Sequence, residues 1–158
     1  AMLGRLERGE SLPISAREAL ALRQRKREEA TRAVTEGRFS TLDGIWWAEF
    51  DHEIDGEFFP TLLPKAEVIV VACPHPTVSS RLAIKVRRGR SMSVGRTLHD
   101  LRLSEVDPAY GGRWNAGANK RPNEVLKLAG GTSLSTEEWV GRVSAQVAEA
   151  LPAPGGDT

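Results

Sequence analysis

The chain has one cysteine, Cys73, in 158 residues. No disulfide can therefore close within it, and a reducing, cytoplasmic setting is the default expectation. It has almost no net charge: 22 Lys and Arg stand against 21 Asp and Glu, giving +1. No global field marks out a nucleic-acid partner, and any basic site must come from local clustering. No apolar run approaches the length of a membrane span, and no signal peptide is read at the start. No internal repeat is present. What remains has the apolar and charged fractions of an ordinary soluble domain, long enough to bury one core. Ala1 ahead of Met2 reads as a cloning remnant, and the chain as an excised piece of a longer protein.

The densest chemistry lies in residues 110–121, where three glycines, two asparagines, Trp114 and three cations fall within twelve positions. Glycine lets a ligand approach backbone N–H groups closely, and successive N–H groups in such a turn form an anion-binding concavity. Arg113, Lys120 and Arg121 add donors suited to phosphate. Trp114 offers a flat face for a base. The loop therefore reads either as an anion or nucleotide cradle, or as a solvated loop whose glycines make turns while Trp114 plugs the core.

In chain order, residues 1–14 read as a loose lead-in. Ser15-Ala16-Arg17-Glu18 reads as a capping box opening a long helix that ends at Gly37. Residues 1–38 together form a linker-like segment. The mixed-sign run from Arg23 to Glu29 reads as a solvated helix face rather than a nucleic-acid surface. After the Asp43-Gly44 turn, residues 45–50 have strand composition. The acid- and histidine-rich stretch Asp51-His52-Glu53-Ile54-Asp55 matches no metal-ligand spacing and reads as a polar loop. Residues 58–63 suit a short helix. Residues 68–73 form an unbroken apolar run, the pattern of a strand buried on both faces. Cys73 and His75, at its end, read as a buried structural cysteine and a turn histidine.

Residues 81–87 alternate, with Leu82, Ile84 and Val86 on one side and Arg81, Ala83, Lys85 and Arg87 on the other. With Arg88, Arg90 and Arg96 the latter make a second basic cluster, open to two readings: a ligand surface or an exposed sheet face. Ser93 is expected to cap a short helix bearing Val94, Leu98 and Leu101. Residues 123–129 are expected to form another helix, closed by Gly130-Gly131. Ser135-Thr136-Glu137-Glu138 is a second capping box, opening a helix that docks Trp139, Val143, Val147 and Leu151 on the sheet. The tail 152–158 is expected to be flexible. The fold class is α/β: a single domain over 39–151, with a mixed β-sheet flanked by helices, a long N-terminal helix and a C-terminal helix.

The order strand, basic strand, short helix, glycine-rich loop resembles the DHH-associated domain of DHH-family phosphoesterases, which has a relative appended to alanyl-tRNA synthetases. That family's motif is an arginine-bearing strand, a helix, then Gly-Gly-Gly-His-x-x-Ala-(Ala/Gly)-Gly. Here Arg87 matches the strand arginine, Gly111 and Gly112 match two motif glycines, and Ala116-Gly117 matches the Ala-Gly close. The motif histidine is absent; Arg113, Trp114 and Asn115 stand in its neighbourhood. The resemblance covers about residues 40–130. It implies a substrate-binding domain, with manganese or magnesium held by a separate catalytic domain in cis and no cofactor in this chain. Together with the reading of the loop's own chemistry, it gives Arg87, Gly111, Gly112, Arg113, Trp114, Asn115, Lys120 and Arg121 as the expected substrate-binding set. Asp51-His52-Glu53 lacks the second histidine of a DHH motif and is not assigned to metal.

Three functions follow in order: a nucleotide- or oligonucleotide-binding module of a metal-dependent phosphoesterase; a non-catalytic, tRNA-like nucleic-acid-binding domain; and a module that forms a homodimer. The expected partners are a nucleotide or short single-stranded nucleic acid, with no membrane.

Overall fold

The computed structural model describes residues 11–150. Residues 1–10 of the expected lead-in, Leu151 and the tail 152–158 lie outside the described residues; residues 11–14, expected in the lead-in, belong to a helix. The apolar run becomes β3 (Val68–Pro74), the centre of a six-stranded sheet. On one side it pairs antiparallel with β4 (Leu82–Arg88), in the register Val70 opposite Val86. On the other it pairs parallel with β2 (Ile45–Glu49), Trp47 opposite Val70. β1 (Ser40–Leu42) folds back on β2 through Asp43 and Gly44. Both of these turn residues have positive φ, 52° and 84°, as the two-residue turn that matches strand twist requires. Beyond β4 lie β6 (Ala116–Ala118) and, at the edge, β5 (Gly111–Gly112), both in antiparallel pairings. One parallel contact among antiparallel ones makes the sheet mixed, and with helices on both faces the fold is the expected α/β type.

Alternation sends Val68, Val70 and Ala72 of β3 to one face and Ile69 and Val71 to the other. Each set joins a separate core, so the strand has no wet face and the run has no polar residue. The first core is closed by α3 (Thr136–Ala150), with Trp139, Val140, Val143 and Val147 buried. Its capping box forms as expected. Ser135 Oγ accepts from Glu138 N–H (3.1 Å), and Glu138 Oε1 accepts from Ser135 N–H (3.0 Å).

The second core takes Ala30 and Ala33 from α1 (Ser11–Thr35), with Phe58 and Phe59 of a short helical stretch. Residues 56–62 thus form the expected short helix, as one 3-10 turn followed by α2 (Phe59–Leu62). α1 ends where Gly37 N–H reaches Val34 O and Arg38 N–H reaches Ala33 O, the paired bonds of a glycine-terminated helix. Its start differs from expectation. The helix is already formed at Ser11, so Ser15 lies inside it and caps nothing. The charged middle is tied by ion pairs, Arg23 to Glu57 (2.9 Å) and Lys26 to Asp55 (3.5 Å), and by Arg23 and Arg27 over the Phe58 ring. No described helix is long and apolar enough to cross a membrane.

Two expected helices are corrected. Ser93 caps no helix, and Val94 is 93% exposed. The local structure is instead a 3-10 turn at Leu98–Leu101, capped reciprocally by Thr97 and Asp100, which does bury Leu98 and Leu101. Residues 123–129 form a tight loop. Asn123 and Leu128 exchange backbone bonds, Asn123 Oδ1 accepts from Leu126 N–H, and Lys127 takes φ 56°. An asparagine side chain that bonds its own following backbone offers an alternative to the helical ladder.

One pH-sensitive tie joins α1 to the loop after β2. The His52 ring bonds Asp51 (2.6 Å) on one nitrogen and Glu29 on the other. The Asp51 bond first, then Glu29, holds the imidazole above the usual histidine range, while His52 holds the Asp51 carboxyl below its own. The His52 contribution is full below the unfolded histidine value of about 6.5 and fades as pH rises through the elevated folded value; that of Asp51 fades as pH falls through its lowered value. Denaturation midpoints from pH 6 to 8.5 are expected to fall in the parent chain, and to fall less in His52→Ala. An unchanged slope would refute this tie.

Candidate functional site

The second core draws on β2 and β3 through Ala48, Ile69 and Val71, and takes nothing from β4, β6 or β5. On that face, among the described residues, no helix covers the outer half of the sheet. Register places Lys85 opposite Ala118, Arg87 opposite Ala116, and Gly111 opposite Ala118. Directly opposed residues share a face, so its floor is built of glycine and alanine with cations above it. A cleft of about 1130 Å³ opens there, lined by Glu53, Lys85, Gly111, Gly112, Arg113, Ala118, Lys120 and Arg121 among others.

Gly112 and Gly117 serve close packing. A Cβ on Gly112 would sit 2.3 Å from Gly117 Cα and 2.6 Å from Ala116 O, whereas one on Gly111 meets nothing within 4 Å. On the reverse side of the hairpin, Tyr110 fills the space at Gly117, where a Cβ would lie 2.1 Å from its hydroxyl. That hydroxyl is buried with no hydrogen-bond partner among the described residues, and burial pushes it up to about 12.

The loop after β6 is pinned from below. Asn119 is fully buried; its Oδ1 accepts from Ile84 N–H (2.7 Å) and its Nδ2 donates to Asp107 Oδ2 (2.8 Å). Asp107 Oδ2 also accepts from Trp139 Nε1–H (2.9 Å), and its Oδ1 from Ala109 N–H (3.1 Å). His75 Nδ1 accepts from Val78 N–H (3.0 Å), which leaves the ring proton on Nε2 to donate to Lys120 O (2.8 Å). His75 is thus the turn histidine expected, and Cys73 is buried. Arg81 clamps Gly130 O and Gly131 O at 3.0 and 2.9 Å. These bonds present Lys120 and Arg121 at the cleft.

Of the eight residues assigned from sequence, Gly111, Gly112, Arg113, Lys120 and Arg121 meet at this cleft. Trp114 and Asn115 form the hairpin tip, held by Trp114 O to Leu98 N–H (2.8 Å) and Asn115 O to Arg88 N–H (3.0 Å). The Trp114 side chain is 53% exposed, so it does not plug the core. Arg87 shares the sheet face but lies beside Gly56, 3.8 Å from where its Cβ would be, outside the cleft lining. Much of the second basic cluster is structural. Arg88 donates to Arg96 O (2.8 Å) and Ser93 O (3.0 Å), and Arg90 to Thr61 Oγ1 (3.1 Å). Arg113 and Arg121 make no side-chain bond or ion pair among the described residues.

Two charged groups at the cleft lie outside the eight residues assigned from sequence. Glu53 lies between Lys85 Nζ (2.7 Å) and Lys120 Nζ (3.3 Å), and Lys85 first, then Lys120, holds its carboxyl below the usual range. Lys85 was legible as a cation on an alternating strand; nothing local marked Glu53 as its partner. The remaining acids and histidine nearby are engaged elsewhere. Asp55, which burial would raise, is brought below its usual range by Glu57 N–H, Lys26 and Arg87. Among the described residues no three His, Cys, Asp or Glu side chains are grouped to hold a metal ion.

No protein-family model and no curated protein sequence matches the chain. Its fold, by contrast, is found in a phosphodiesterase. That solved structure is the pGpG-specific phosphodiesterase PggH from Vibrio cholerae, similar at a TM-score of 0.58 and 9% identity over 85% of this chain. The chain spans 42% of the length of that structure. At this identity the likeness establishes a shared fold.

Proposed function

We propose that this chain is the substrate-binding domain of a nucleotide phosphoesterase, of the DHH-associated kind, and that the cleft beneath the β5–β6 hairpin takes the phosphates of a nucleotide or short oligonucleotide. The observation that carries this reading is the bare glycine–alanine sheet face ringed by Lys85, Arg113, Lys120 and Arg121. The fold shared with a phosphodiesterase supports it. Arg113, adjoining Gly112, is one of the three residues in the neighbourhood of the family motif's histidine; its guanidinium offers bidentate bonds to phosphate but no exchangeable proton at neutral pH. Arg87, on the same sheet face but outside the cleft lining, would reach only a ligand that extends past the cleft. In a parent enzyme, manganese or magnesium in a separate catalytic domain would supply the activated water. This domain's residues would bind and orient the substrate.

Calorimetric titration with a 5′-phosphorylated dinucleotide tests the reading. Saturable binding is expected, weakened about tenfold to a hundredfold in Arg113→Ala, the loss for a charge-assisted hydrogen bond of roughly 1.5–3 kcal/mol. Binding of equal strength in the variant would place the ligand elsewhere. A second reading, a non-catalytic binder of longer single strands, is favoured by the exposed Trp114 ring at the hairpin tip. The two separate by salt. Many phosphate contacts give a steep fall in affinity with ionic strength, and a dinucleotide site a shallow one.

A further inference from the structure

Lys85 and Lys120 come from different parts of the chain, one on β4 and one after β6, yet both point their ammonium groups at a single carboxylate in the cleft. Glu53 Oε2 is 2.7 Å from Lys85 Nζ and its Oε1 is 3.3 Å from Lys120 Nζ. Two cations facing one monoanion leave a surplus of one positive charge. Lys120 is set in place by the His75 bond to its carbonyl and by the buried Asn119 before it; Lys85 is set in place by its strand. Glu53 sits on the irregular segment after β2, about half exposed, so its side chain can swing away without disturbing the core.

We infer that the Lys85–Lys120 pair is a phosphoryl-binding subsite of the proposed cleft, held in the free protein by Glu53 as an internal anion that a terminal phosphate displaces. This rests on the nucleotide-binding reading and narrows it. A phosphomonoester carries roughly −1.5 to −2 charge near neutrality and three acceptor oxygens, so it satisfies both lysines better than a carboxylate does. A bridging phosphodiester carries a single charge; its exchange for Glu53 gains nothing in charge. The subsite therefore selects ligands that end in a phosphate over those with internal phosphates alone.

The test is calorimetric, on the full chain, with a 5′-phosphorylated dinucleotide and the same dinucleotide without its terminal phosphate. In Glu53→Gln, affinity for the phosphorylated ligand is expected to rise about fivefold, the scale for releasing exposed ion pairs. In Lys85→Met the preference for the phosphorylated ligand is expected to collapse. Glu36→Gln removes the same charge from an exposed position just after α1, outside the cleft lining, and is expected to change affinity by less than about twofold, since exposed charges away from the site are screened. If the parent chain binds but Glu53→Gln binds no tighter, or Glu36→Gln gains as much, the displaced-anion subsite is wrong while the nucleotide-binding reading stands. If Glu53→Gln binds and the parent chain does not, the internal anion is confirmed as the block. If neither chain binds either ligand, both proposals fall.

Discussion

Asp107→Ala is expected to lower stability by about 3–5 kcal/mol, among the largest losses for any polar substitution in the molecule. One carboxyl accepts from Trp139 Nε1–H, Asn119 Nδ2 and Ala109 N–H. Trp139 and Asn119 are both fully buried, so removing the acceptor strands two donors away from water. Each stranded group costs about 1–3 kcal/mol. Denaturant unfolding measures the loss. Trp139→Phe, which keeps an aromatic ring and deletes one donor, should lose clearly less than Asp107→Ala. A loss below about 1 kcal/mol for Asp107→Ala would mean that water enters and satisfies the orphans, and that the network does not hold the 119–121 loop.

The second large effect separates two adjacent glycines. Gly112→Ala is expected to weaken dinucleotide binding more than about tenfold and to cost about 1–3 kcal/mol, the range for forcing a methyl into a packed site. Gly111→Ala is expected to do neither. A Cβ at residue 112 meets backbone atoms of Ala116 and Gly117, which cannot rotate aside as a side chain would, while at residue 111 the space is open. β5 is an edge strand with a single neighbour, so it yields by moving away from β6. That movement carries Arg113 out of the cleft. Equal tolerance at both positions would show that the hairpin flexes without altering the site.

Much of this fold was legible because the signals are local. The run 68–73 has no polar residue and became the central strand. The Ser135–Glu138 box became a cap, and the fourfold spacing from Trp139 became a buried face. The errors were local signals outvoted by stronger neighbours. Ser15 looks like a helix start, but the helix has begun by Ser11. Residues 123–129 have helical composition, yet the Asn123 side chain and the left-handed Lys127 close them into a loop.

The candidate site divides in the same way. Its glycines and the cations Arg113, Lys120 and Arg121 stand within one twelve-residue stretch, and their chemistry marks them without any knowledge of the fold. By itself the sequence determined the central strand, the flanking helices and this cation-rich loop, because periodicity, caps and composition act over a few residues. Only the tertiary structure decided that Glu53 would reach Lys120 across 67 positions, that Asp107 would join Trp139 across 32, and that half of one sheet face would stay bare. Those outcomes depend on which strands pair and which faces the helices cover, and no local pattern carries information over such separations.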